Sequence, residues 1–84
     1  MAHFYGLPVK VKKDRKGRPV SFVWRGVTYE GEIIGSWKLS TRWWEPKAYS
    51  DRTYFRIETA DHQIFELYCD AAKDGLWVLA RIQD

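Results

Sequence analysis

Apolar and polar residues alternate with a period of two along most of the chain. No sustained 3.6-residue apolar stripe appears, so the pattern predicts strands and no long helix. The first predicted strand covers residues 7–13, where Val9 and Val11 face one way and Lys10 and Lys12 the other. Asp14 to Pro19 then supplies a Gly and a Pro, which break the pattern as a hairpin loop. A second strand, 20–24, places Val20, Phe22 and Trp24 on one face, the face expected in the core, and Arg25-Gly26 reads as a two-residue turn. A third runs from 27 to about 36 with Val27, Tyr29 and Ile33 in phase. The adjacent Ile33-Ile34 interrupts strict alternation, which predicts a bulge or sharp bend.

From 37 to 51 no clear periodicity is read, and this irregular segment holds three of the five Trp residues. Strands are predicted again over 53–59, where Thr53, Phe55, Ile57 and Thr59 oppose Tyr54, Arg56 and Glu58, and over 64–69, where Phe65, Leu67 and Cys69 oppose Ile64, Glu66 and Tyr68. Asp70 to Gly75 predicts a turn with one helical turn ended by Gly75, before a last strand over 76–82. About six short strands must leave two exposed edges or curl closed. The expected fold is a single all-β domain, an antiparallel, strongly bent sheet or open barrel of SH3-like or OB-like type. It divides into a basic N-terminal hairpin (7–24), the Trp-rich segment (37–51) and C-terminal strands (52–82).

With 84 residues there is room for one core only, and an aromatic content of 17% supplies the rings that make so small a core workable. Cys69 is the single cysteine, which excludes a disulfide scaffold, and no apolar run reaches the ~18 residues of a membrane span. A lone thiol and a start without an export pattern point to the cytoplasm. A monomer is expected, with no membrane partner.

The net charge of +3 is unevenly spread, because residues 1–56 carry twelve Lys/Arg against five Asp/Glu whereas residues 57–84 carry two against six. Lys10, Lys12, Lys13, Arg15, Lys16 and Arg18 lie close together with Asp14 the only acid among them. Such density is a footprint for phosphates or an acidic protein surface, or else it keeps a solvated hairpin soluble. Arg42-Trp43-Trp44 adds a cation and two rings in a polar stretch. In a strand the two Trp side chains would point to opposite faces, so one or both close a barrel end or one is left to stack a base.

Read together, Pro19-x-x-Phe22-x-Trp24-x-Gly26-x-x-Tyr29, Trp37, Trp43-Trp44, Tyr54-Phe55-Arg56-Ile57-Glu58-Thr59, Phe65-Glu66-Leu67 and Trp77-x-Leu79-x-Arg81-x-x-Asp84 resemble a family of small Trp-rich bacterial domains of unknown function. The resemblance covers residues 19–84 and leaves the basic hairpin outside. It implies a domain found alone, or encoded beside or fused to relatives of Y-family DNA polymerases, and it brings no assigned activity or binding residues.

Catalysis finds no support in the pattern. Glu30/Glu32 and Glu58/Glu66 belong to outward sets and read as solvated pairs facing Lys or Arg. His3, His62 and Cys69 show no metal-ligand spacing, and the phase of Cys69 with Phe65 and Leu67 predicts an inert buried thiol. No cofactor motif is present. The expected role is therefore a non-catalytic binding module. Its candidate nucleic-acid contacts are Lys10, Lys12, Lys13, Arg15, Lys16, Arg18, Arg42, Trp43 and Trp44, with single-stranded nucleic acid or a polymerase-associated protein as partner. The alternative is an SH3-like interaction module that holds an extended peptide.

Overall fold

The computed structural model of the chain describes residues 2–41 and 49–83. Seven strands follow one another: β1 (Ala2–Pro8), β2 (Lys10–Lys13), β3 (Pro19–Trp24), β4 (Val27–Thr41), β5 (Ser50–Thr59), β6 (Ile64–Asp70) and β7 (Leu76–Gln83). A single 3-10 turn, Ala71–Lys73, lies between the last two. All pairings are antiparallel, in the spatial order β1-β7-β6-β5-β4-β3-β2. The outermost strands of that order, β1 and β2, are consecutive in the chain with only Val9 between them. The Val9 N–H donates to the Trp77 carbonyl at 3.1 Å. Joining its two margins at one residue forces the sheet to curl into a half-barrel.

The strand count exceeds the expected six because residues 2–6, which show no alternation, form β1 against β7, while Val9 separates β1 from β2. The 37–51 segment is likewise more regular than expected. Residues 37–41 continue β4, and Ser50 and Asp51 open β5, pairing as Thr41↔Ser50 and Ser40↔Asp51. The bend predicted at Ile33-Ile34 is present as a register shift between Ile33 and Gly35. Gly31 lies just before it, where a Cβ would stand 2.5 Å from the Glu58 carbonyl oxygen, so only glycine lets β4 and β5 approach so closely. The Arg25-Gly26 turn has φ of 54° and 74°, the double left-handed geometry of a tight hairpin.

Phe22, Phe55, Ile57, Phe65, Leu67, Trp77, Leu79 and Ile82 form the buried core, and Trp24, Tyr29, Val9, Val11 and Cys69 pack half-buried against it. The rings of Phe22, Tyr29 and Phe65 meet at centroid distances of 4.9 to 5.5 Å. The phase of β3 departs from expectation. Val20 is 40% exposed and Pro19 is buried in its place, because a register shift between Lys12 and Lys13 sets Pro19 opposite Lys13. Trp24 is at the margin of the core rather than inside it, edge-on to Tyr5 with Arg25 stacked on it. Val27, read in phase with the core, is exposed beside the turn.

Candidate functional site

The basic loop between β2 and β3 is built around its one acid. Asp14 Oδ1 accepts from the backbone N–H of Lys16 and of Arg18, both at 2.9 Å, and Oδ2 accepts from Arg18 Nε at 3.1 Å. The Gly17 N–H donates to the Asp14 carbonyl, and Gly17 takes the left-handed φ of 78° that this closure needs. The N–H of Arg18, ahead of the other donors, holds the Asp14 carboxyl below its ordinary value. Arg18 is thus committed to the brace. Lys10, Lys12, Lys13, Arg15 and Lys16 are exposed and have no ion-pair partner among the described residues.

Two of these cations meet a half-apolar cleft. Lys13 and Lys16, with Gly17, border a space of about 260 Å³ whose other wall is Thr53, Phe55, Cys69 and Trp77 on the inner side of β5, β6 and β7. Cys69, expected to be fully buried, is half-buried at this mouth. Burial pushes its thiol up from an ordinary 9.0, and Sγ donates to the Gly75 carbonyl at 3.5 Å. Thr41 and Ser50, the strand ends from which the β4–β5 connection departs and returns, lie at the same end of the sheet as Thr53. Arg42, Trp43 and Trp44 lie outside the described residues.

The outer face of the same sheet carries a second constellation, of which the sequence pattern turns Tyr54, Arg56, Glu66 and Tyr68 outward without a role and leaves Trp37 in the irregular segment. Trp37, Tyr54 and Tyr68 stand side by side on β4, β5 and β6, with centroids 5.2 Å apart at both steps and the first two rings parallel within 3°. Arg52 sits 4.3 Å over Tyr68 and donates to the Tyr54 hydroxyl at 3.2 Å, while Arg56 lies 5.2 Å from the Trp37 centroid. Arg52 Nε is also 3.6 Å from Asp70 Oδ2. That buried carboxylate accepts from the N–H of Asp51 and of Ala72 and so caps the 3-10 turn. Arg56 and Arg81 converge on one carboxylate, Glu66, at 3.4 and 3.1 Å. Tyr54 and Tyr68 in the outward phase of two paired strands were the only sequence signal for this ladder.

The acidic residues do not pair as expected. Register sets Glu58 opposite both Glu32 and Ile64, and Glu66 opposite Arg56 and Arg81, so Glu58 and Glu66 belong to different rows. Glu66 is buried instead of solvated because two guanidiniums cover it. Glu30, Glu32, Glu58 and His62 border an open depression near the β5–β6 turn, with His62 Nδ1 3.6 Å from Glu58 Oε2. Among the described residues no group of three or more His, Cys, Asp or Glu is placed to hold a metal ion. No helix there is long and apolar enough to cross a membrane.

The structure is thus a small all-β half-barrel domain with a braced basic loop and an outer ladder of rings and guanidiniums. The chain belongs to the family described as Domain of unknown function (DUF6504), whose model matches residues 1–84. The match includes the basic hairpin, which the resemblance had left outside the shared region, so the hairpin is part of the family domain. No curated protein and no solved structure matches the chain.

Proposed function

We propose that this domain is a non-catalytic binding module that holds single-stranded nucleic acid on its hairpin end, as an accessory to DNA repair or translesion synthesis beside a Y-family polymerase. The observation that carries the reading is the Asp14-braced loop, which presents Lys13, Arg15 and Lys16 without internal partners beside a half-apolar cleft. A loop already ordered by three hydrogen bonds to one carboxylate loses little further entropy when phosphates arrive. Lys10 and Lys12, exposed along β2, extend the cationic track. Phe55 and Trp77 line the cleft but are only 7% and 8% exposed, and this reading assigns base stacking to Trp43 or Trp44. The setting is a reducing cytoplasm, in which the single thiol of Cys69 stays unpaired.

An NMR titration of the labelled chain with a short single-stranded oligonucleotide at about 50 and about 200 mM salt tests this. Amide shifts are expected through Lys10 to Arg18. Replacing Lys12, Lys13 and Lys16 by Ser is expected to flatten the salt slope by ~0.7 per lost contact without loss of fold. Absence of shifts at the lower salt overturns the nucleic-acid reading. An SH3-like peptide-binding role then takes its place, with shifts expected between Trp37 and Tyr54.

A further inference from the structure

The two halves of β4 are paired differently. Val27 to Glu30 adjoin β3 on one side, whereas Gly31 to Thr41 adjoin β5 on the other. Beyond Glu30 no strand of the described residues lies against the side of β4 that faces away from β5. In residues 35–41 the alternate backbone N–H and C=O groups directed to that side therefore have no ladder partner among the described residues. Natural sheets blunt such edges with prolines and charges, yet this stretch contains no Pro and one charge, Lys38.

The ring ladder ends at the same place. Its steps of 5.2 Å match the ~4.8 Å spacing of paired strands, so each strand contributes one rung. Both groups that touch the Trp37 indole, the Tyr54 ring and the Arg56 guanidinium, come from β5. The other indole face is turned to the open edge, where no ring or cation of the described residues covers it, and Trp37 is 37% exposed. Leu39 shares this face and is 46% exposed.

We propose that residues 35–41 accept an extended segment of a partner protein as an added strand, with an aromatic side chain opposite Trp37 and a carboxylate opposite Lys38. The added backbone continues the hydrogen-bond ladder and the added ring continues the stack. Trp37 and Lys38 project to opposite faces, so the aromatic and acidic residues are neighbours in the partner's sequence. Charge favours an acidic segment. Lys38 has no ion-pair partner among the described residues, and it pairs with Thr53, on the face of the sheet that Lys13 and Lys16 border. A second copy of the chain fits less well. An antiparallel register centred on Lys38 opposes like charges, and one that stacks Trp37 on Trp37 leaves Lys38 facing Ser36. Nucleic acid has no N–H and C=O series with which to extend the ladder. The edge adjoins the hairpin cleft through the Lys38–Thr53 pair, and the two readings are told apart by which ligand, peptide or oligonucleotide, moves residues 35–41.

The test is an NMR titration of the labelled full chain with the blocked peptide Thr-Val-Asp-Tyr-Asp-Val-Thr. Shifts are expected to concentrate in residues 35–41, with slowed exchange of the edge amides. Trp37→Ala and Lys38→Glu, both at exposed positions, are expected to weaken binding roughly threefold to tenfold each while the β3 and β7 amides, away from the ladder, keep their shifts. A peptide with Pro in place of both Val residues is expected to lose binding, because ladder donors are removed. Shifts lying elsewhere, or equal binding of the Pro-containing peptide, overturn the proposal. It also fails if residues 35–41 shift with protein concentration alone, which assigns the edge to a second copy, or if an oligonucleotide reproduces the same shifts.

Discussion

The inner and outer faces of β5, β6 and β7 are made from alternate residues of the same strands, yet different forces hold them. Inside, Phe55, Ile57, Phe65, Leu67 and Leu79 are buried among one another, and each contributes by loss of apolar area, a force without direction. Outside, Tyr54, Arg56, Glu66, Tyr68 and Arg81 are held by ring stacking and by guanidiniums bridging carboxylates, which require specific distances and planes. The inner face is closed by its own packing except at its mouth, where Thr53, Phe55, Cys69 and Trp77 line the cleft beside the basic loop. The outer face is ordered by its own contacts and still open to solvent, which is the condition for presenting a preformed surface.

The largest effect should come from breaking the inner face. Phe65 meets Phe22, Trp24 and Tyr29 at centroid distances of 5.1, 6.4 and 4.9 Å, so Phe65→Ala is expected to cost ~3 to 5 kcal/mol. Chemical denaturation measures this, and a loss below about 1 kcal/mol would place the core elsewhere. A smaller effect is expected from the outer face. Glu66→Ala leaves Arg56 and Arg81 facing each other, but their side chains are 42% and 28% exposed and water screens them, so the expected cost is about 1 to 3 kcal/mol. Replacing all three together, Arg56→Met, Glu66→Leu and Arg81→Met, should recover most of that loss, since no charge is then left unpaired. If the triple variant is less stable than Glu66→Ala, the bridge contributes net stability and the contrast between the faces is weaker than drawn.

The smallest effect is kinetic. Cys69 belongs to the inner face at its mouth, and burial raises its thiol above 9.0, so the reactive thiolate is scarce at neutral pH. Alkylation by iodoacetamide is expected to be slower than that of a free cysteine at pH 7 to 8 and to go on rising with pH after the rate of a free cysteine has levelled off. Labelling at the free-cysteine rate near pH 7 would show a mouth more open than the inner-face packing requires.

Much of this architecture is legible in local spacing. The Arg25-Gly26 turn, the bend after Ile33, the 3-10 turn closed at Asp74 and Gly75, and the inward sets of β5 and β6 all appear where short-range chemistry puts them. The failures share a cause. β1 has no alternation because it is a margin strand held through β7, with Phe4 77% exposed. Residues 36–40 do alternate, but with Trp37 and Leu39 outward and Ser36, Lys38 and Ser40 on the opposite face, so the apolar set does not mark the core and the segment reads as irregular. Phase alone turns Val20 inward, and a register shift one strand away gives its place to Pro19.

The candidate site divides along the same line. The density of cations from Lys10 to Arg18 is a property of the sequence, and so is the single acid among them. That Asp14 binds the loop's own N–H groups, and that Lys13 and Lys16 face Phe55 and Trp77, follows from chain reversal and from contacts between residues about forty to sixty positions apart. Among the described residues one side of β4 stays unpaired beyond Glu30, because β3 ends its pairing there while β5 continues to Thr41. By itself the sequence determined which residues alternate, where the chain turns and where charge gathers, because these depend on backbone sterics and neighbours a few positions away. Only the tertiary structure decided which side of each strand meets the core, which carboxylate two arginines share and which edge stays open. Register and strand order are set by partners distant in the chain, and a shift of one residue exchanges the two faces.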